Sequence, residues 1–158
     1  MGDPATGDLR TAFEDHAAAL LRLCTLLTGR SEVAEDLVQD AFVRLAPKIE
    51  RLDAEAVWPY LRRIAVNLWK NRLRRLALEA RHRHAEPATA PALDPGRTAV
   101  WSAVLSLPPR QRTTILLRYY EDLTEADTAR VMGCSTGTVK SQTAKALAKL
   151  EQDLSDED

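Results

Sequence analysis

Residues 124–150 read TEADTARVMGCSTGTVKSQTAKALAKL, and this stretch decides the fold of the C-terminal part of the chain. Ala129, Gly133 and Val139 have the spacing of a helix-turn-helix unit. A small side chain at Ala129 lets two helices approach closely, and Gly133 can adopt the positive φ that a tight turn needs. Val139 would then anchor the second helix against the first. We therefore predict two helices joined by a tight turn.

Both helices of this unit begin at residues that favour a helix start. Thr124, followed three residues later by Asp127, resembles a capping box with Asp in place of Glu. Ser135 is a good cap for the second helix, which would bury Val139, Thr143, Ala146, Leu147 and Leu150. Its other face could reach base edges and phosphates in a major groove through Thr136, Thr138, Lys140, Ser141, Gln142 and Lys145. An ordinary helical hairpin that binds nothing is the alternative.

Three more helices are predicted in the N-terminal half. Gly29 favours a left-handed cap after the first helix, Ser31 can cap the second, and Pro47 should end or kink it. Pro59 would lie near the first turn of the third helix. The apolar residues at helical spacing are Leu9, Phe13, Ala17, Leu20, Leu21, Leu23, Cys24 and Leu27 in the first helix, Ala34, Leu37, Val38, Ala41, Phe42 and Leu45 in the second, and Leu61, Ile64, Ala65, Leu68 and Trp69 in the third.

The charge of the chain is strongly segregated, although its net value is only −1. Residues 57–85 hold eight cations and one acid, so this segment is +7 and the rest of the chain is −8. A polar and basic stripe recurs at helical spacing along it, at Arg63, Asn67, Lys70, Asn71 and Arg74. Trp58, Tyr60 and Trp69 are interleaved with these cations, and aromatic rings among cations suit unstacked bases. The alternative is that the tryptophans belong to the core and the basic face is only solvated.

Two segments favour extended or disordered chain. Residues 86–97 are rich in Pro and Ala and indicate a linker. Helical patterning resumes near Ala99, breaks at Pro108 and Pro109, and continues to Tyr120, while residues 151–158 hold five acids and no base and predict a disordered tail. The expected fold is all-α, with two small helical domains at 1–85 and 98–152, a flexible linker at 86–97 and an acidic tail at 153–158.

Several function classes are disfavoured. No apolar run approaches the roughly 18 residues that span a bilayer, and no signal peptide is evident, so we expect no membrane insertion and a cytoplasmic protein. Cys24 and Cys134 are expected to be reduced thiols. His82 and His84 lie in an arginine-rich stretch that favours a solvated face over a metal site. A phosphate loop, a metal-spaced cluster and a nucleophile–base pair are all missing from the sequence, so we expect neither an enzyme nor a cofactor.

Taken together, these segments resemble the extracytoplasmic-function (ECF) class of sigma-70 factors. The stretch 34–45, AEDLVQDAFVRL, is similar to the region 2 motif, and 58–67, WPYLRRIAVN, with Asn71 and Arg74, is similar to the minus-ten segment. Similarity to region 4 is found at residues 107–112, 117–123 and 133–141. Departures from the family pattern are Gln142 and Thr143, which stand where Arg and an apolar residue are usual, and Lys145-Ala-Leu147, which replaces an Arg-Ala-Arg pattern.

The resemblance implies a transcription initiation factor with a three-helix region 2 and a helix-turn-helix region 4. It implies that Asp36, Gln39 and Asp40 bind the β′ clamp of core RNA polymerase, with the β subunit as a further contact. It also implies that the basic helix contacts the minus-ten element of promoter DNA, that residues 48–55 form a pocket for a flipped base, and that the last helix reads the minus-thirty-five element. An anti-sigma factor is a possible further partner.

Two other functions compete with this interpretation. A conventional helix-turn-helix repressor or activator would bind its operator without polymerase, but it leaves the motif at 34–45 unexplained. A sigma-like adaptor would keep the fold and lack promoter recognition, as the residues at 142 and 143 allow.

Overall fold

The computed structural model describes residues 7–83 and 98–156. Within these ranges the chain forms seven α-helices and no β-strand, which confirms the all-α prediction. The chain divides into two compact units, Met1–Arg83 (unit 1) and His84–Asp158 (unit 2). The expected linker at 86–97 and the last two residues of the expected tail lie outside the described residues.

Unit 1 contains three α-helices and one short 3₁₀ turn. Helix α1 spans Leu9–Thr28, α2 spans Ser31–Leu45, the 3₁₀ turn spans Ala46–Arg51, and α3 spans Ala54–Arg83. Fully burying one leucine side chain contributes roughly 1.5–3 kcal/mol, so the apolar stripes of the three helices supply most of the stability of this unit. The core contains Leu20, Leu23, Leu27, Leu37, Leu45, Leu61, Ala65 and Trp69.

The connection between α1 and α2 confirms one predicted cap and contradicts another. Gly29 has φ 70° and its backbone N–H donates to the Thr25 carbonyl, as expected for a left-handed cap. Ser31 was expected to cap α2, but it is already the first helical residue and makes no capping bond. The Thr28 hydroxyl bonds the backbone of Arg30 instead, accepting from its N–H and donating to its carbonyl.

Helix α3 begins earlier than the sequence suggested. It starts at Ala54, opened by the bond from the Ala56 N–H to the Asp53 carbonyl. Pro59 therefore lies inside the helix, and its predicted place near the first turn is wrong. Since proline has no N–H, the Glu55 carbonyl loses one helical bond.

The described part of unit 2, residues 98–156, contains four helices. Helix α4 spans Ala99–Ser106, α5 spans Pro109–Ile115 and continues as a π-helical turn over Leu116–Tyr120, α6 spans Glu125–Met132, and α7 spans Thr136–Ser155. The sequence predicted that the last helix ends near Leu150 and that a disordered tail starts at Glu151. This prediction is wrong through Ser155, where the helix is supported by an ion pair of 3.0 Å between Lys149 and Asp153.

A buried arginine joins α4 to α5. Arg112 is 7% exposed, and its guanidinium donates to the carbonyls of Leu105 and Leu107, at 2.9 and 3.1 Å. These carbonyls lie at the C-terminal end of α4, where carbonyls have no helical partner and a cation is favourable. Burial lowers the pKa of Arg112 from its usual value.

The turn after the π-helical segment holds a strained residue, which gives a stability prediction. Asp122 has φ 55°, the one positive φ of a non-glycine residue in the described ranges. We expect Asp122→Gly to raise the free energy of unfolding by up to about 1 kcal/mol, because glycine has no Cβ to clash with the backbone there. Urea denaturation followed by circular dichroism measures this. Glu121→Gly is the control, since Glu121 has φ −92°. If both variants lower the free energy of unfolding equally, Asp122 is not strained.

The two thiols should react at different rates. Cys24 is fully buried, and burial raises the pKa of its thiol to about 12, whereas Cys134 is partly exposed. Since the thiolate is the reactive form, the native chain should titrate one thiol quickly with a disulfide reagent and the other only on unfolding. In Cys134→Ser the fast phase should be lost. Fast native labelling of that variant would show that Cys24 is accessible.

Candidate functional site

A polar face of α2 carries the three residues predicted to dock on polymerase. Asp36, Gln39 and Asp40 are all exposed and fall within an arc of about 100° around the helix. The carboxylate of Asp36 lies 3.9 Å from the guanidinium of Arg72 on α3. The two side chains are 64% and 35% exposed. An exposed pair of this kind contributes about 0–1 kcal/mol, so it orients the Asp36 carboxylate without taking it out of water.

An apolar groove adjoins this polar face, and the sequence analysis missed it. Val43 lies on the same arc as Asp40 and is 71% exposed. Phe13 of α1 is 55% exposed, and its ring packs edge-on against Phe42 at 5.2 Å. With Leu9 they line a groove of about 600 Å³.

The predicted burial of one wide face of α1 is therefore partly wrong. Leu9, Phe13 and Leu21 are exposed. The apolar stripe of α1 is wider than the surface that two partner helices cover, so its edge residues stay in contact with water.

The structure brings the predicted basic stripe together on one face of α3. Arg63, Asn67, Asn71 and Arg74 are exposed and Lys70 is half-buried. With 3.6 residues per turn, the five positions fall within an arc of about 100°. The stripe lies away from the buried face of α3, which carries Leu61, Ala65 and Trp69. Such a row of donors can follow the phosphates of a nucleic-acid strand.

The three aromatic residues interleaved with the cations lie in different environments. Trp69 is 8% exposed and belongs to the core, and Trp58 is half-buried with its ring 5.8 Å from His16. For Trp69 the core alternative is thus correct, whereas Trp58 is only partly covered. Tyr60 alone shares the arc of the stripe, and the Lys48 ammonium lies 5.5 Å from its ring centre. This cation–π contact joins the 3₁₀ turn to the start of the stripe.

Residues 48–55 comprise the end of the 3₁₀ turn, the connecting residues Leu52 and Asp53, and the start of α3. Ile49 is buried there and anchors the turn in the core. The Leu52 N–H donates to the Ile49 carbonyl at 3.3 Å and closes the turn. The pocket for a flipped base in this segment stays a prediction.

The helix-turn-helix geometry of α6 and α7 follows the sequence prediction. Gly133 has φ 68° and caps α6 in the left-handed conformation. The hydroxyls of Thr124 and Ser135 accept from the N–H groups three residues later, both at 3.1 Å. Ala129 and Val139 are 5% and 0% exposed. Capping bonds of this kind contribute about 1 kcal/mol each.

The six residues predicted to read DNA divide into two groups around α7. Four of them share one face: Thr138, Ser141, Gln142 and Lys145. Thr136 and Lys140 lie outside that arc, and the Lys140 ammonium is 3.8 Å from the Glu125 carboxylate on α6. In the predicted buried stripe Val139 and Ala146 are buried, Thr143 and Leu150 are half-buried, and Leu147 is 43% exposed, so the prediction for Leu147 is wrong.

Leu147 is exposed because it lines a second apolar groove. Val100, Trp101, Tyr119 and Tyr120 surround the groove, which has a volume of about 320 Å³. The rings of Trp101 and Tyr120 are 6.1 Å apart in an edge-on contact. The groove therefore presents aromatic and aliphatic side chains to solvent.

Two kinds of site do not occur within residues 7–83 and 98–156. No group of three or more His, Cys, Asp or Glu side chains could hold a metal ion there. In the same ranges, none of the helices has the length and apolar character to cross a membrane.

Two family models match the chain. The model of Sigma-70 region 2 matches residues 12–79, within unit 1, and the model of Sigma-70, region 4 matches residues 97–150, within unit 2. The basic stripe and the α2 face fall in the first match, and the helix-turn-helix unit falls in the second.

Curated relatives resemble the chain over most of its length. The RNA polymerase sigma-E factor of Streptomyces coelicolor is 32% identical over 141 residues, covering 86% of this chain and 80% of the relative. The ECF RNA polymerase sigma factor SigM of Mycobacterium tuberculosis is 39% identical over 152 residues, covering 87% and 72%. The solved sigma factor RpoE of Bartonella quintana, in complex with the anti-sigma factor NepR, has the same fold, with a TM-score of 0.71 at 24% identity over 92% of this chain and 96% of that one.

Proposed function

Because this chain belongs to the sigma-70 family, as an RNA polymerase sigma factor of the ECF class, we propose that its two units divide promoter-specific initiation between them. One observation carries this proposal: both the region 2 and the region 4 models match, each within one compact unit. We assign region 2 to residues 1–85, a linker to 86–97 and region 4 to 98–152. A conventional regulator is not favoured, since it accounts for the C-terminal match alone.

Unit 1 docks on polymerase through α2. Asp36, Gln39 and Asp40 present two carboxylates and an amide on one exposed face, which suits a basic helical partner such as the β′ clamp. Val43 and the apolar groove beside it extend this face and supply area to bury. Charges set the orientation of docking, and apolar burial supplies most of the affinity.

Helix α3 contacts the minus-ten element. The cations of the stripe bind phosphates, while the amides of Asn67 and Asn71 can bond base edges of an opened strand. Tyr60 lies at the start of the stripe, next to the residues 48–55 proposed as the flipped-base pocket. An aromatic ring there can stack on an unpaired base.

Unit 2 contacts the minus-thirty-five element through α7. The face with Thr138, Ser141, Gln142 and Lys145 enters the major groove, as the second helix of such a motif does. One lysine and three uncharged polar groups offer no bidentate guanidinium to guanine. We therefore expect weak binding by unit 2 alone, assisted by docking of its apolar groove on the β subunit.

The chain initiates transcription without catalysing a reaction, because polymerase performs the nucleotide chemistry. We place it in the cytoplasm, where polymerase and promoter DNA are found. An anti-sigma factor that covers the α2 face would keep it from polymerase. The ion-paired surface of α2 and α3 and its apolar groove give such a partner both charge and apolar area to bind.

Charge reversal on α2 tests the docking assignment. We expect Asp40→Arg to lower the affinity for core polymerase at least tenfold and to abolish run-off transcripts from fragmented DNA of the source genome, because a cation on the docking arc repels a basic partner. Pull-down of core polymerase and run-off transcription measure the two effects.

Glu35→Arg is the matched control for this reversal. It makes the same charge change on the neighbouring turn, at an exposed position outside the arc. If Asp40→Arg binds polymerase as well as Glu35→Arg does, α2 is not the docking helix. If the unaltered chain binds polymerase but yields no transcripts, the chain is an adaptor.

The basic stripe can be tested on a promoter found in that way. We expect Arg74→Ala to reduce open-complex formation by the holoenzyme several-fold and to lower the salt dependence by about one phosphate contact, with polymerase binding unchanged. Permanganate reactivity of unpaired thymines measures opening. Arg75→Ala is the control, because it removes an adjacent exposed cation that lies outside the arc. Equal defects in both variants would show that the total positive charge of α3 matters and the position of the stripe does not.

A further inference from the structure

An ion pair joins the two helices of the helix-turn-helix unit. Glu125 lies in the first turn of α6 and Lys140 lies near the start of α7. The Lys140 ammonium is 3.8 Å from the nearer Glu125 carboxylate oxygen, and the side chains are 67% and 38% exposed. The pair therefore links the first turn of α6 to the second turn of α7.

This pair engages a cation that lies outside the arc of α7 that we assign to DNA. Lys145 is exposed on the face of α7 that it shares with Ser141 and Gln142. It makes no ion pair with any residue in the described part of unit 2. Lys140 lies near the start of α7, on a different face from Lys145, and its ammonium is directed to the Glu125 carboxylate on α6. Glu125 lies in the first turn of α6, where the positive end of the helix dipole favours an acidic side chain.

A DNA strand that reached Lys140 would bring its phosphates next to this carboxylate. The phosphate and Glu125 compete for one ammonium group, and they repel each other at short range. Since DNA affinity depends on the number of phosphates paired with cations, a cation that is held by a carboxylate contributes less to it.

We propose that Glu125 limits the affinity of unit 2 for the phosphate backbone of duplex DNA by holding Lys140. This inference rests on the proposed role of unit 2 in DNA binding. Glu125 is a positioning residue here, acting through Lys140 rather than touching DNA. It lowers binding to any duplex, so the unit engages DNA when polymerase holds it at a promoter.

Fluorescence anisotropy of the full chain on a labelled random-sequence duplex, between about 50 and 200 mM salt, tests this proposal. We expect Glu125→Gln to raise the affinity roughly threefold at the lowest salt and to increase the salt slope by about one phosphate. Lys140→Met should change little in the parent chain, and in the Glu125→Gln background it should remove the gain.

Asp127→Asn is the matched control. It deletes the same charge from the same helix, but Asp127 pairs with Arg130 at 2.9 Å rather than with α7. The proposal is overturned if Glu125→Gln weakens binding, if Asp127→Asn gives the same gain, or if the gain survives Lys140→Met.

A separate variant tests the underlying function. Lys145→Met should weaken binding to the same duplex and reduce the salt slope by about one phosphate. If it changes neither, unit 2 does not bind DNA through this face, and the proposed function of the unit fails. If Lys145→Met weakens binding as expected but Glu125→Gln leaves the affinity unchanged, only the proposed role of Glu125 fails.

Discussion

The burial of one apolar stripe of α3 against α1 and α2 fixes the rotation of that helix about its axis. Leu61, Ala65 and Trp69 face the core, and this leaves the opposite arc, from Arg63 to Arg74, in water. Arg62 is the cation beside the buried face, at 9% exposed, and turning the arc of the stripe into the core would bury further cations at a cost of several kcal/mol. The placement of the basic stripe is therefore a consequence of core packing. Val139 and Ala146 set the rotation of α7 in the same way.

Features that depend on a few neighbouring residues could be predicted from the sequence. The turn at Gly133 and the caps at Thr124 and Ser135 are local, because a hydroxyl or a missing Cβ acts on backbone within three residues. Ser31 and Pro59 show where this reasoning ends. Each has the right chemistry for its predicted position, but the helices start earlier, with bonds from the Ala34 N–H to the Arg30 carbonyl and from the Ala56 N–H to the Asp53 carbonyl.

Features that depend on contacts between distant residues could not be predicted. The pairs Asp36–Arg72 and Glu125–Lys140 join different helices, and only the packed unit brings them within 4 Å. Hydrophobicity also does not say which apolar residues find a partner. Trp69 was covered by the core, while Phe13 and Leu147, at equally regular spacing, were left at the edge of a groove. The residue types of the site could be predicted from the sequence, but the helix face that each residue occupies could not.

The two open grooves have a cost for the chain when it is alone. Apolar surface in contact with water favours association. The unbound protein is therefore the form most prone to aggregate and to be bound by proteases and chaperones. A partner that fills the grooves removes this driving force and raises stability by mass action. The stability of the chain is then coupled to the concentration of the partner that fills the grooves.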